Sequence, residues 1–199
     1  MKVAVVSTMS AQTPWSAVTT PNHAEWCERH AATFVARCLP YHEAVADFDF
    51  LEDLLRHFDY VWCLDSDAVI TNMHTTLDSL ELDPGLNVCQ EGLHDQCPIN
   101  CGSTIWGSDW RSRELLALLT KHEPEWRKCT WIWQQWIAER LEVCPVKGLV
   151  RVHPARAFNS CHHGERCLWE PGDFVYHPCG VPSAQRVSLI HERLKEVHR

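Results

Sequence analysis

The stretch from Asp59 to Ile70, DYVWCLDSDAVI, constrains the fold of this chain more than any other. Tyr60 to Leu64 is a short, largely apolar run of strand-favouring residues, too short to stand as a helix. It stops at Asp65-Ser66-Asp67, and Ala68 to Ile70 resumes apolar. Residues two apart on an extended backbone point to one side, so Asp65 and Asp67 bring two carboxylates together. Unpaired, they repel each other, and burying them is costly. A divalent cation removes the conflict. Mg²⁺ and Mn²⁺ take oxygen ligands, and Mg²⁺ is commonly shared between one or two carboxylates and substrate phosphates. One reading is therefore a strand with a metal–diphosphate site at its carboxyl end, where open α/β sheets bind ligands. The other is a solvated Asp-Ser-Asp turn, since the tripeptide alone is a weak motif.

Length suits one domain over residues 1–199, with enough chain for a sizeable core. A formal charge of −8 argues against a nucleic-acid backbone or an anionic membrane surface as partner. The opening run MKVAVVSTMS turns polar at Ser7, too early for a signal-peptide core, and no later stretch is long enough for a membrane span. The expectation is a soluble, cytoplasmic protein. Eleven cysteines, an odd number without an export signal, read as mostly reduced thiols. The tightest cluster, Cys161-His162-His163 with Cys167, holds four candidate zinc ligands, although thirteen histidines make chance clusters common. Ten tryptophans suit a dense core or an aromatic platform for sugar rings.

Val3 to Val6 predicts a first strand, and the chain after it, from Val6, Ser7 and Thr8 onward, is where a nucleotide meets such a sheet. Residues 7 to 20 predict a loop. Asn22 predicts the cap of a helix running to Arg37, with Trp26, His30 and Phe34 along one face. Further expectations are a strand at Leu39–His42, helices at Phe48–His57 and Thr75–Leu82, and a turn at Asp83-Pro84-Gly85. Strands follow at Leu86–Cys89, Ser103–Trp106, Leu149–Val152 and Phe174–His177. Helices follow at Ser108 or Asp109 to His122, Trp131–Leu141 and Ser183 to the end, while Arg156–Ser160 leads into a Cys/His-rich loop. Alternating strands and helices predict an α/β fold with a mainly parallel sheet covered on both faces.

Several of these stretches together resemble one family, the glycosyltransferases that include fungal galactosyl- and mannosyltransferases and plant xyloglucan xylosyltransferases. NHAEWCERHAATF resembles its early helix, DYVWCLDSDAVI its metal-binding strand, and NCGSTIWGSDW its Asn-x-Gly segment. WQQWIAERL resembles the helix with an acid-Gln pair, and FNSC with WEPGDFVYHPCG resembles its closing segments. The resemblance implies a GT-A fold, a nucleotide-sugar donor, Mn²⁺ or Mg²⁺, and retention of anomeric configuration. It implies that Asp65, Asp67 and His177 hold the metal, with Asp67 and Gln135 serving the chemistry. Ser66, Asn100, Gly102, Gln134, Asn159 and Gly180, with Val6, Ser7 and Thr8, would then contact the donor. The acceptor is an unspecified hydroxyl-bearing molecule.

The chain departs from that pattern where DFDFLEDLLRHF offers acids until Arg56, and where Gln134-Gln135 replaces the acid-Gln pair. Other readings are a nucleotidyltransferase, although residues 7 to 20 contain no Gly, Lys or Arg, a non-catalytic binding module, and a zinc-binding interaction module.

Overall fold

The structure, a computed structural model, describes residues 1–9, 13–40, 43, 47–93 and 97–197. β1 (Val3–Met9), β2 (Thr33–Cys38), β3 (Tyr60–Asp65), β5 (Leu86–Gln90), β6 (Ile99–Gly107) and β7 (Val150–His153) form a sheet of order β2-β1-β3-β6-β5-β7. β2, β1 and β3 run parallel, as do β5 and β7, whereas β6 runs against both of its neighbours. Side chains alternate across this sheet as the two-residue period demands. Ala4, Val6 and Val61 pack into one apolar layer, and Val3, Val5, Trp62 and Leu64 into the other. Helices α2 (Phe48–Leu54), α3 (Trp110–Lys121), α4 (Glu123–Trp126) and α5 (Ile132–Ala138) contribute to the first layer. Helix α1 (Ser16–Arg29) closes the second, where Trp26, Trp62 and Phe174 stack with ring centroids 4.9 to 6.1 Å apart.

A second, smaller sheet has the order β4-β10-β8-β9, built from Val69–Ile70, Val175–Gly180, Ser160–His163 and Arg166–Cys167. Helix α6 (Ser183–Val197) packs on it through Ile190, which joins Trp15, Val69, Trp169 and Tyr176 in a small third core. No helix among the described residues is long and apolar enough to cross a membrane.

Four sequence expectations are corrected. The first helix begins at Ser16 rather than at Asn22, inside the expected loop, and stops at Arg29. Ala31 then adopts φ 52°, a left-handed turn that ends the helix and frees Thr33–Cys38 to form β2. Phe34 is therefore a strand residue, and of the expected strand at Leu39–His42, Tyr41 and His42 lie outside the described residues. Thr75–Leu82 forms only a single 3₁₀ turn, Leu77–Ser79, fixed by Ser79 Oγ donating to Thr76 O at 2.6 Å. The Cys/His run is a β8–β9 hairpin turning at Gly164, not a loop. Asp109 does cap its helix, accepting from Arg111 N at 3.1 Å.

Helix α1 explains how the acidic motif is positioned. Its sheet-facing side carries polar groups, and each bonds the backbone that follows β3. Thr19 Oγ1 donates to Ser66 O at 2.7 Å, and His23 Nε2 lies 2.9 Å from Ala68 O. Trp26 Nε1 donates to Thr75 O at 3.0 Å, while His30 Nε2 is 2.8 Å from Met73 O. Asn22, buried in mid-helix, donates to Ile70 O at 2.9 Å and accepts from Ile70 N at 2.8 Å. Its amide acts as one more strand against β4. The Asn22→Ala variant leaves both buried Ile70 groups without that partner, at about 1–3 kcal/mol each. Urea unfolding should show a destabilisation in that range or above, and a loss under about 0.5 kcal/mol, the scale of a neutral surface change, would contradict the role assigned to α1.

Candidate functional site

Asp65 is the last residue of β3 and pairs in register with Thr8 on β1. The tight turn Asp65 O to Ala68 N, 3.0 Å, swings Asp67 back beside it. The Asp65 side chain is 61% exposed and that of Asp67 only 7%. His177 comes from β10 in the second sheet and is almost fully buried. Its Nε2 lies 3.6 Å from Asp65 Oδ2 and 3.3 Å from Asp67 Oδ1. Gly102 on β6 makes room for the ring, since a Cβ there would stand 1.9 Å from His177 Cε1.

A chain of hydrogen bonds sets the orientation of His177. Glu91 is an acceptor only, so Asn100 turns its Nδ2 to Glu91 Oε2 at 2.6 Å. Asn100 Oδ1 then accepts from Gly102 N at 2.9 Å and from Asn159 Nδ2 at 2.8 Å. That leaves Asn159 Oδ1 to accept from His177 Nδ1 at 3.1 Å. The proton on Nδ1 is thereby assigned, and in the neutral ring Nε2 presents its lone pair to the two carboxylates. This is the outer-shell arrangement that metal-binding imidazoles use. The three ligand atoms lie within 4.8 Å of one another. Two hard carboxylates and one borderline imidazole fit Mn²⁺ or a similar divalent ion.

Without a metal the group balances its own charge. Burial would push His177 down, but the negative charge of Cys179, Asp67 and Asp65 outweighs it and raises the imidazole to about 10. Burial likewise would raise Asp67, yet His177 and Arg186 hold it below its ordinary value. Asp65 is open to the cleft but walled by protein. Desolvation pushes it up to about 6, with His177 opposing and Asp67 adding.

These residues line a cleft of about 520 Å³. Of the residues expected at a donor site, Val6, Thr8, Asp65, Ser66, Asp67, Asn100, Gly102, Gln134 and His177 line it. Ser7 and Asn159 are fully buried beside it. Gly180 meets no ligand space either; a Cβ there would fall 1.8 Å from His163 Nδ1. Gln135 is a correction. Its Oε1 accepts from Thr130 N at 3.0 Å and its Nε2 donates to Glu139 at 2.8 Å, and Gln135 itself does not line the cleft. Gln134 takes the inward position, accepting from Cys101 N at 2.8 Å. Ile132, a β-branched residue at φ 43°, makes the turn that puts Gln134 inward and Gln135 outward. The zinc reading of the Cys161–Cys167 run is also corrected. His162 bonds Tyr176 Oη at 2.6 Å and Gly164 O at 3.0 Å, and Cys167 is exposed, so the four side chains do not converge.

Sequence reasoning missed Arg186. It is the single Lys or Arg among the described cleft-lining residues. Its Nη1 donates to Asp67 Oδ2 at 2.6 Å, and Nε and Nη2 are held by Val181 O and Cys179 O. Its guanidinium lies 5.0 Å over the Trp15 ring, and Trp15 Nε1 donates to Ser66 Oγ at 3.0 Å. The only sequence signal was a basic residue one turn into the helix after HPCG. Glu91 and Trp15 gave no signal, because neither sits in a motif.

No protein-family model matches the chain, and no curated protein is similar to it in sequence. Solved structures are similar in fold. A glycosyltransferase involved in the glycosylation of the major capsid of PBCV-1 superposes with a TM-score of 0.76 at 16% identity, over 96% of this chain and all of that one. The bifunctional glycosyltransferase WbbM gives 0.59 at 12% identity, over 98% of this chain and 49% of WbbM. The galactosyltransferase LgtC, with donor and acceptor sugar analogs, gives 0.50 at 13% identity over 95% of each chain. An active-site variant of LgtC with glutamine changed to glutamate gives 0.52. The α/β architecture is thus the GT-A fold, with its central mostly parallel sheet.

The raised value of His177 has a sign that can be measured without metal. The folded-state value lies above the unfolded one of about 6.5. Its stabilisation is therefore complete below about 6.5 and lost as pH rises through about 10. In excess chelator, wild type should exceed His177→Gln in urea stability at pH 6, and the gap should narrow towards pH 10. A gap independent of pH would show that His177 carries no such charge.

Proposed function

We propose that this chain is a single-domain, metal-dependent glycosyltransferase over residues 1–199, moving a sugar from a nucleoside diphosphate to an acceptor hydroxyl. The observation that carries the reading is the convergence of Asp65, Asp67 and His177 from two sheets onto one wall of the cleft. A divalent cation held by these three side chains would supply positive charge opposite the departing diphosphate. Asn159 keeps the His177 ring turned so that Nε2 faces the carboxylates. Arg186 fixes the Asp67 carboxylate and adds the cleft's own positive charge. The Val6–Thr8 strand end lies beside Asp65, which suits a nucleotide laid across the carboxyl ends of β1 and β3.

Trp131 and Trp133 line the cleft with Gln134, and the Trp133 ring lies 6.4 Å from the buried Trp106 ring. Indole faces and an amide suit a sugar ring, which offers C–H groups to one and hydroxyls to the other. Gln134 is our candidate for bonding a donor hydroxyl: its Oε1 accepts from Cys101 N, and its Nε2, 3.4 Å from Cys97 Sγ, keeps a second proton to give. The active site of LgtC carries a glutamine, changed to glutamate in one variant, so an active-site glutamine is compatible with this fold.

Retention of configuration is part of the proposal. Apart from the Asp65–Asp67 pair, the cleft-lining carboxylates among the described residues are Asp47 and Glu91. Asp47 is paired with Arg37 at 2.5 Å, and Glu91 is bonded by Asn100. Neither stands free to attack an anomeric carbon, which favours same-face attack by the acceptor over a covalent glycosyl-enzyme.

A screen of nucleotide sugars for Mn²⁺-dependent hydrolysis tests the reading and names the donor. One nucleotide sugar should be turned over, with turnover abolished in Asp65→Ala and Asp67→Ala. No hydrolysis or binding of any nucleotide sugar would refute it. With that donor in hand, Gln134→Ala should lower transfer about threefold to tenfold, the kinetic equivalent of one hydrogen bond of about 0.5–1.5 kcal/mol. Gln135→Ala should leave transfer unchanged, and equal losses in the two variants would contradict the geometry of α5.

A further inference from the structure

Behind His177, at the inner wall of the same cleft, stands a second group of metal-ligating side chains. His163 on β8, Cys179 on β10 and Glu91 just after β5 bring Nε2, Sγ and a carboxylate oxygen within 4.8 Å of one another. Cys179 Sγ is 3.1 Å from His163 Nε2, and Glu91 Oε1 is 2.7 Å from the same nitrogen. Cys161 Sγ lies 3.8 Å from Glu91 Oε2, and groups within 4.8 Å with Cys179 Sγ and a ring nitrogen of His177.

This is not a nucleophile–base–acid relay. A relay needs the thiol on one ring nitrogen of His163 and the carboxylate on the other. Here both address Nε2, which carries at most one proton to share between them. Glu91 is 1% exposed, and its Oε1 has no hydrogen bond of good geometry. No Lys or Arg is paired with Glu91 among the described residues, so its buried charge faces only the His163 imidazole and neutral groups. Gly180 supplies the space, since any Cβ there would strike the His163 ring. Gly102 does the same for His177, so each of the two imidazoles is seated against a glycine. Tetrahedral zinc places thiolate, imidazole and carboxylate atoms roughly 3.4–3.6 Å apart. The observed 3.1 Å and 2.7 Å spacings to His163 Nε2 would widen by about 0.4 Å and 0.7 Å to reach that.

We propose that Glu91, His163 and Cys179, with Cys161 at the fourth position, form a zinc site that adjoins the Asp65–Asp67–His177 group and shares none of its three side chains. Thiolate and imidazole select a softer ion than two carboxylates do, so one chain would hold two metals of different chemistry. The site would tie β5, β8 and β10 together directly behind His177. It does not depend on the glycosyl-transfer reading.

Replacing bound metal with Co²⁺ in the full chain tests it, because thiolate ligation gives a sulfur-to-cobalt charge-transfer band in the near ultraviolet. The band should appear at one equivalent, fall to about half in Cys179→Ser, vanish when Cys161→Ser is added to it, weaken in His163→Ala and persist in Asp65→Asn. Absence of the band, or its survival with both cysteines replaced, would overturn the proposal. Should the variants fail to fold, iodoacetamide labelling of wild type decides the matter. Zn²⁺ should protect Cys179 while exposed Cys38 and Cys144 react at unchanged rates, and equal labelling of Cys179 with and without Zn²⁺ would reject the site.

Discussion

The structure depends on one buried imidazole shared between two carboxylates. Asp65 and Asp67 lie too close to be charged together without compensation, and His177 sits 3.6 and 3.3 Å from them. Carboxylates and imidazole come from different sheets, so the pair that ends β3 and the strand that carries His177 must be held in register. The ion group is thus a joint between the two sheets as well as a ligand set. A protonated His177 satisfies the joint in the metal-free chain, and a neutral one frees Nε2 for a cation.

Two sets of hydrogen bonds keep that joint aligned. On one side, helix α1 grips the backbone from Ser66 to Thr75 through Thr19, Asn22, His23, Trp26 and His30. On the other, Arg156 adopts φ 79° and forms a two-pronged pair with Asp173, Nε to Oδ2 at 2.9 Å and Nη2 to Oδ1 at 2.8 Å. Asp173 Oδ2 also accepts from Ser160 Oγ at 2.8 Å. This links the start of β8 to the approach of β10, and so places Asn159 beside His177. An uncommon backbone angle at Arg156 costs of order 1–3 kcal/mol, offset by a charge-assisted pair that is only partly exposed.

Much of this was legible in the residues. The strand ending at Asp65, the Asp109-capped helix and the final helix follow from local pattern, the α/β architecture follows from their order, and the GT-A fold was what the resemblance implied. Asp65, Asp67 and His177, the metal ligands that the resemblance implied, lie within 4.8 Å of one another. Helix α1 was misplaced because Asn22 looks like a cap when only its neighbours are considered. Its true partner is the Ile70 backbone, forty-eight residues away. The Gln134-Gln135 pair could not be split by sequence, because its facing is decided by the φ of Ile132. Arg186 and Glu91 were invisible for a similar reason. Each matters through a tertiary contact, Asp67 for one and Asn100 for the other, that no local spacing encodes.

The central claim is that Asp65, Asp67 and His177 together hold a divalent cation against a diphosphate. Anomalous scattering from crystals soaked with Mn²⁺ and a nucleoside diphosphate tests it most directly. The account predicts a manganese peak bonded to both carboxylates and to His177 Nε2, with the diphosphate oxygens completing its shell. A diphosphate bound in the cleft with no manganese at these three side chains, or a manganese peak elsewhere with His177 still bonded only to protein, would contradict it.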